Sequence, residues 1–434
     1  MSGLTLFLAI IVALLALCTT PSRALFVYCA SLVLYPQALT LQIGSADFTL
    51  GRVCIMAVLV NVVVRRGAYR SFEWAWADLF LLASWVLGFV ALLQTFPAVA
   101  VERHAGAFFD TILPYLAARL IVTSEQDFTT IVKGLAVIAV PLVVLALSQM
   151  ISGGNPVGFL SGYYAFGLEG YRAEHGQTRL GLHRAAVTFT HAISLGLFCA
   201  MVAILTLSLW KRRVWPRPVV AGLIGFACVG LFTSLSSGPL LAVAGAAFVF
   251  MVYADWRLAT AVACLALVSV ASLSAYSGEP YDTVLTDFAY SPTSAQFRFD
   301  LLREVLGGGM SGHWWTGYGY VGIGPGTDNT HFHWRNRDLV NFYVAILVRT
   351  GLLGLIPFLF AGAFCYARLV RALLLTQTPA AAWMVWCLFA GMVGWSVALM
   401  TVDALTPILQ LLCVLMAISL NMPLIVTAKA ARAS

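Results

Sequence analysis

Long apolar runs separated by short polar turns make up most of this chain. The runs continue unbroken for 16 to 25 residues without the alternation of polar and apolar positions that a membrane barrel strand needs. Each run is long enough to cross a bilayer as a helix. We therefore predict twelve or thirteen transmembrane helices. The candidate spans are about 3–19, 24–41, 50–64, 76–95, 103–122, 127–150, 184–209, 217–234, 239–253, 257–275, 338–366, 381–400 and 404–424.

Composition supports the same fold class. Hydrophobic residues account for 61% of the 434 positions and charged residues for 10%, which is more apolar surface than one soluble core can bury. The sequence therefore predicts an all-α polytopic membrane protein. The nine cysteines lie within or at the edges of apolar runs and none forms a Cys-x-x-Cys pair, so we expect them to be packing residues.

Basic loops predict the orientation of the helices. Because positive residues concentrate on the cytoplasmic side of a membrane, the side with the basic connections should be cytoplasmic. These connections contain Arg65, Arg66, Arg70, Lys211, Arg212, Arg213, Arg217, Arg257, Arg368, Arg371, Lys429 and Arg432.

This orientation divides the chain into five segments, two of which are long loops on the outer side, where function is commonly found. The segments are N-terminal helices in 1–150, a first outer loop in 151–183, central helices in 184–275, a large outer loop in 276–337 and C-terminal helices in 338–434.

The two outer loops and their edges are rich in arginine and contain no lysine. A planar guanidinium binds phosphate or carboxylate through two parallel hydrogen bonds, which an ammonium group cannot do. We therefore predict an outward-facing site for an anionic ligand. The alternative is that these arginines pair with nearby acids such as Asp300, Glu304 and Asp338. The arginines are Arg172, Arg179, Arg184, Arg298, Arg303, Arg335, Arg337 and Arg349.

The large loop begins with a helical pattern. Between 292 and 306, the apolar residues Phe297, Leu301, Leu302 and Val305 form one stripe, which predicts an amphipathic helix on the membrane surface or on the helix bundle. Glycines and aromatic residues follow in 307–320. The letters of a dinucleotide-binding Gly-x-Gly-x-x-Gly turn occur at 317–322, but no strand precedes them. The aromatic rings suit either stacking on sugars or anchoring at the membrane interface.

Two histidines close the large loop. His331 and His333 have the spacing of a metal-binding pair, yet no third ligand lies at a suitable spacing, so we expect neither a metal nor another cofactor. A histidine near arginines is better suited to act as a general base, because its pKa is close to neutrality. Asp338 is the carboxylate alternative. We therefore name His331, His333 and Asp338 as candidate catalytic residues.

Three stretches resemble one family of membrane enzymes. Asn341–Leu355, with Arg349-Thr-Gly351, resembles the motif that ends the large loop in the superfamily of O-antigen ligases and Wzy-type polysaccharide polymerases. Arg184 to His191 resembles the family's arginine-containing entry into a helix, and Arg298 with 314–319 resembles its second-loop arginine and Gly-x-Gly turn.

Two positions depart from the family pattern. The ligases usually carry His-Asn at the start of the final motif, where this chain has Val340-Asn341. The frequent Ser-Arg-Gly near a helix junction is Ser236-Ser237-Gly238 here. The missing histidine favours a polymerase over a ligase.

The resemblance implies a metal-independent, inverting glycosyltransferase at the periplasmic face of the bacterial inner membrane. Its substrates would be glycans linked to undecaprenyl pyrophosphate, which it would join into exopolysaccharide or O-antigen. Arg184 and Arg298 would form the clamp for the donor phosphates. Further substrate contacts would come from Arg172, Arg335, Arg337, Asn341 and Arg349.

Two other functions are compatible with the sequence. One is a ligase that transfers a finished glycan to a lipid or protein acceptor, and the other is a transporter or flippase of lipid-linked sugars. A transporter should contain paired charges within the membrane, and such charges are scarce in the sequence. Besides membrane lipid, chain-length regulators and export proteins are expected partners, and nucleic acid is not.

Overall fold

The computed structural model describes residues 2–44, 46–65, 72–159, 177–289, 291–320, 339–403 and 407–427. Within these ranges the chain is almost entirely α-helical, and its only strands form two short antiparallel hairpins. The first hairpin pairs β1 (Thr40–Ile43) with β2 (Ala46–Thr49), and the second pairs β3 (Thr178–Arg179) with β4 (Leu182–His183). The predicted fold class, an all-α polytopic membrane protein, is confirmed.

Most helices follow one another through short connections, and the long ones lie in 153–191 and 305–341. The N-terminal set is α1 (Ser2–Cys18), α2 (Pro21–Leu34), α3 (Leu50–Val64), α4 (Trp76–Thr95), α5 (Pro97–Ala107), a π-helical turn (Phe108–Ile112), α6 (Leu113–Ile121) and α7 (Glu125–Ser152). The central set is α8 (Ala192–Thr206), α9 (Ser208–Arg212), α10 (Arg217–Thr233), α11 (Ser237–Ala254) and α12 (Trp256–Ser277). The loop helices are α13 (Tyr281–Asp287) and α14 (Pro292–Glu304), and the last set is α15 (Phe342–Leu375), α16 (Pro379–Leu399) and α17 (Ile408–Thr427).

Every predicted span corresponds to a helix. Among the described residues, eight helices are long and apolar enough to cross a membrane, and four more apolar helices of 10–17 residues are shorter. The remaining span corresponds to α5 and α6, which the π-helical turn joins into one irregular helix.

Two helix ends differ from the prediction. Helix α2 stops at Leu34 instead of residue 41, because Tyr35 precedes Pro36 and is therefore held in an extended conformation. Helix α8 starts at Ala192 instead of residue 184. The backbone N–H groups of Ala186 and Val187 donate to the buried side chain of Gln149, so this stretch packs inside the bundle as an irregular segment.

Helix α15 is the largest departure from prediction, because it is folded back on itself. Gly351 has φ 65° and ψ −167°, which no helix allows. The rings of Phe342 and Phe358 lie 5.4 Å apart, whereas a straight helix would separate them by roughly 24 Å. The predicted span 338–366 therefore contains a sharp bend that its apolar pattern did not indicate. A short arm, residues 342–350, and a long arm, residues 352–375, meet in a sharp bend at Gly351.

Two ion pairs, one partly and one fully buried, lie inside the predicted membrane spans. Arg52 forms two hydrogen bonds to Asp110 at the π-helical turn, at 2.6 and 3.1 Å. Arg119 contacts Asp78 at 3.1 Å, and both side chains are almost fully buried. The sequence-level expectation that paired charges would be scarce within the membrane therefore needs correction. Gln410 also donates to Asp110, so the first pair is part of a local polar network.

Candidate functional site

A large apolar cavity lies beside the bend of α15. Its volume is about 1430 Å³, and both arms of α15 line it together with α11, α14 and α16. Most of its wall is aliphatic or aromatic, with Leu240, Phe358 and Met392 as typical residues. The long arm contributes residues from Leu355 to Tyr366, a rise of roughly 16 Å along the helix. Such a cavity is suited to a long hydrocarbon chain.

Arg298 lies at the edge of this cavity. It belongs to α14, which lies in the predicted amphipathic stretch. Leu301 of this helix and Val305, which directly follows it, are fully buried in a cluster with the short arm of α15. The buried stripe fixes the helix on the bundle and so fixes Arg298. Its Nε donates to the Thr401 carbonyl at 2.8 Å, and its Nη1 donates to the Ser294 carbonyl at 3.0 Å.

Arg298 has no carboxylate partner among the residues that the structure describes. Burial lowers the pKa of its guanidinium, and the positive charge of the neighbouring Arg179 lowers it further. An arginine nevertheless remains charged at neutral pH. Among the described residues, the site therefore places the positive charge of Arg298 beside an apolar cavity, which is an arrangement suited to an amphiphilic anion.

The second hairpin places Arg179 close to Arg298. Its two-residue turn consists of Leu180 with φ 54° and Gly181 with φ 75°, the positive values that a tight hairpin needs at both positions. Leucine is an uncommon choice there, since a side chain strains this conformation. Leu180 lines the cavity, and Arg179 Nη1 donates to the Leu235 carbonyl at 2.9 Å. In the sequence, Arg179 is one of the outer arginines, and no motif assigns it to the clamp.

Arg184, the other predicted clamp residue, is directed inward. Only 3% of its surface is exposed, and it is not among the residues that line the cavity. Its Nε donates to the Ser234 carbonyl at 3.3 Å, and its Nη1 donates to the Gln177 side chain. Arg184 thus ties the base of the hairpin to the segment between α10 and α11.

The predicted Gly-x-Gly turn closes the bend of α15. The N–H groups of Tyr318 and Gly319 donate to the carbonyls of Val348 and Arg349, which end the short arm. In return, the N–H groups of Leu352 and Leu353, which begin the long arm, donate to the carbonyls of Trp314 and Trp315. Four backbone hydrogen bonds therefore satisfy both helix ends at the bend and attach the large loop to it.

Asn341 and Arg349 lie at opposite ends of the short arm. Arg349 lies at the bend, where its guanidinium carbon is 5.6 Å from the centre of the Tyr320 ring and its Nη2 is 3.7 Å from Asp403. Burial raises the pKa of Tyr320, while Arg349 acts to lower it. Asn341 lines the cavity and caps the short arm, because its side-chain oxygen accepts from the N–H groups of Tyr343 and Val344.

Local acid pairing, the alternative explanation of the outer arginines, applies to Arg303. Its Nη2 lies 2.5 Å from the buried Asp282, and its Nη1 lies 3.7 Å from Asp300. Arg303 is on the same helix as Arg298 but is neutralised, so the two arginines can be compared directly by mutation.

Six candidate residues lie outside the described residues: Arg172, His331, His333, Arg335, Arg337 and Asp338. The structure therefore places Arg298 and Asn341 at the cavity, Arg179 close to Arg298, and Arg349 at the bend. Within the described ranges no three His, Cys, Asp or Glu side chains are arranged to hold a metal ion.

The geometry agrees with a comparison with known families. Residues 222–359 match the family described as O-antigen ligase. This matched stretch runs from α10 into the long arm of α15 and so contains Arg298, the Gly-x-Gly turn and the bend, while the Arg179 hairpin lies before it. The resemblance seen in the sequence is confirmed over this stretch, and the protein is a multi-pass membrane protein. A comparison with curated proteins gave no match.

Proposed function

We propose that this protein polymerises lipid-linked oligosaccharide repeat units at the periplasmic face of the bacterial inner membrane. The observation that carries the proposal is the large apolar cavity lined by Arg298, which has no carboxylate partner among the described residues. Undecaprenyl pyrophosphate combines a long hydrocarbon with a strongly anionic group. The hydrocarbon would occupy the cavity, and the pyrophosphate would lie at Arg298.

The reaction follows from this arrangement. The acceptor sugar's hydroxyl oxygen attacks the anomeric carbon of the donor while the bond from that carbon to the phosphate oxygen breaks. The leaving pyrophosphate gains negative charge, and Arg298 and Arg179 stabilise it because they are already in place. The hydroxyl proton passes to a general base, for which His331, His333 and Asp338 are the candidates. Attack from the face opposite the leaving group inverts the anomeric configuration.

Arg179 compensates for a departure from the family pattern. The family's Ser-Arg-Gly arginine corresponds to Ser237, which lines the cavity here. The guanidinium of Arg179 binds the carbonyl of Leu235, two residues before that position. In this proposal Arg179 and Arg298 form the phosphate clamp, Arg184 positions the hairpin, and Arg349 binds substrate together with Arg172, Arg335 and Arg337.

Replacement of Arg298 by glutamine tests the proposal. Purified protein in proteoliposomes is supplied with lipid-linked repeat units, and the glycan ladder is measured. Loss of one preorganised donor typically lowers the rate by about 10²–10³-fold. The matched control is Arg303→Gln on the same helix, which should keep most of its activity because Asp282 neutralises Arg303. Equal elongation by Arg298→Gln and wild type would refute the phosphate role.

A ligase remains the second candidate, because the matching family is described as O-antigen ligase. The same assay distinguishes the two, since a polymerase lengthens the glycan on its carrier lipid and a ligase moves it to a different molecule. Product that appears only on an added lipid or protein acceptor would replace polymerisation by ligation.

A further inference from the structure

A second basic site lies in the turn between α9 and α10, and none of its residues lines the cavity. Five consecutive residues, Arg213 to Arg217, line a shallow, open hollow at the surface of this turn. The turn lies in one of the basic connections that predict the cytoplasmic side. None of its residues belongs to the proposed glycan site.

The two arginines of this hollow carry unneutralised charge. Neither Arg213 nor Arg217 forms an ion pair with any described residue. The nearby acids are already engaged, because Glu125 binds Arg212 at 2.9 Å and Asp127 caps the start of α7. Positive charge is therefore concentrated at the hollow, and none of the described acidic residues forms an ion pair with it.

The shape of the turn holds these arginines at its rim. Arg213 has φ 51°, a left-handed conformation that strains a residue with a side chain. Pro216 ends the turn, and the guanidinium carbon of Arg217 lies 5.8 Å from the centre of the Trp210 ring. Trp215 lies between the two arginines in the turn and has Lys133 over its ring at 5.2 Å. Tryptophan is the residue that commonly occupies the boundary between lipid and water.

We infer that this hollow binds a phosphate group, supplied by the headgroup of an anionic phospholipid in the same leaflet. Arginine binds phosphate in a bidentate manner, and basic pockets at the ends of membrane helices are suited to anionic headgroups. A soluble phosphate ester has the same chemistry, so the experiment includes it as a separate probe.

Native mass spectrometry of the full-length protein tests the inference. The protein is extracted in a neutral detergent and titrated with phosphatidylglycerol, and the bound lipid is counted for wild type, for Arg213→Gln/Arg217→Gln and for Arg257→Gln. Each arginine at a membrane surface contributes about 1 kcal/mol to binding of an anionic lipid, so the double variant should bind roughly 30-fold more weakly. Arg257 is a matched control, because it also begins a membrane helix and lies over a tryptophan ring, that of Trp256.

The outcomes distinguish a specific lipid site at Arg213 and Arg217 from a general attraction of basic residues for anionic lipid. Loss of phosphatidylglycerol in the double variant, with wild-type binding in Arg257→Gln, supports the site. Equal binding by all three proteins overturns it, as does an equal loss in Arg257→Gln. Glycerol phosphate, added in millimolar excess, identifies the source: if it displaces the lipid at the same two arginines, the phosphate site accepts a soluble ester. A further variant, Arg213→Lys/Arg217→Lys, retains the charge and should bind more strongly than the glutamine variant if the protein is folded.

Discussion

Alanine in place of Gly351 should release the large loop from α15. The Cβ of an alanine at this position would lie 2.2 Å from the carbonyl oxygen of Trp315 and 2.5 Å from the nitrogen of Thr316, both backbone atoms. In addition, φ 65° with ψ −167° is a conformation that almost only glycine adopts. The substitution therefore cannot be accommodated without moving either the bend or the loop.

The expected destabilisation of the closed loop is the sum of the backbone strain and the hydrogen bonds that the substitution breaks. The backbone conformation costs about 1–3 kcal/mol for a residue other than glycine. Moving residues 315 and 316 breaks the hydrogen bonds that Leu352 and Leu353 donate to Trp314 and Trp315, and each contributes about 1 kcal/mol. We therefore expect the closed loop to be destabilised by about 3 to 5 kcal/mol, which raises the population of the open loop at least about 100-fold.

Proteolysis measures this opening directly. Chymotrypsin is applied to proteoliposomes, and mass spectrometry identifies fragments cut after Trp315 or Tyr318, since cleavage follows the open population when opening is fast. Gly351→Ala should be cut there at least about 100-fold faster than wild type. The control is Gly225→Ala in α10, where a Cβ meets nothing within 4 Å. Wild-type cleavage rates in Gly351→Ala would refute the role of the four backbone bonds.

Three further variants test other parts of the structure. Arg179→Gln should lower elongation about tenfold to a hundredfold, the usual loss for a hydrogen bond to a charged group, in the assay described for Arg298. Arg119→Ala should lower the stability of the protein in detergent by about 3–5 kcal/mol, measured by denaturant unfolding, because it leaves the Asp78 carboxylate buried without its partner. Gly362→Trp should raise the KM for the lipid-linked substrate, since Gly362 lines the cavity with open space above it, whereas Gly225→Trp should leave KM unchanged.

Hydrophobic pattern predicted the positions of the helices well, because membrane length and backbone hydrogen bonding leave few alternatives for a long apolar run. It could not predict the bend at Gly351. An apolar run that contains glycines has the same appearance whether it is straight or folded, and the bend depends on Trp314 and Trp315, which are 36 or more positions away in sequence. Only tertiary contacts of this kind satisfy the free N–H groups of the second arm.

The number of arginines in the outer loops predicted an anion-binding site but could not show which of them form it. Arg184 and Arg298 have equally good motifs, yet one is buried against backbone carbonyls and the other lies at the cavity. The difference arises from the hairpin turn, which places Arg179 at the Leu235 carbonyl and leaves Arg184 at its base. A two-residue Leu-Gly turn is a weak sequence signal for a hairpin, because leucine seldom accepts a positive φ. The role of Arg179 could therefore be recognised only from the structure.

The turn between α16 and α17 connects the two halves of the proposed site. Its consecutive residues bind three separate elements: the Thr401 carbonyl accepts from Arg298, the Val402 carbonyl accepts from the N–H of Phe342, and Asp403 lies 3.7 Å from Arg349. A shift of this turn would therefore move the loop helix, the start of the short arm and the bend together. The proposed phosphate clamp and the attachment of the large loop therefore share one turn, so a substitution that shifts either of them should also displace the other.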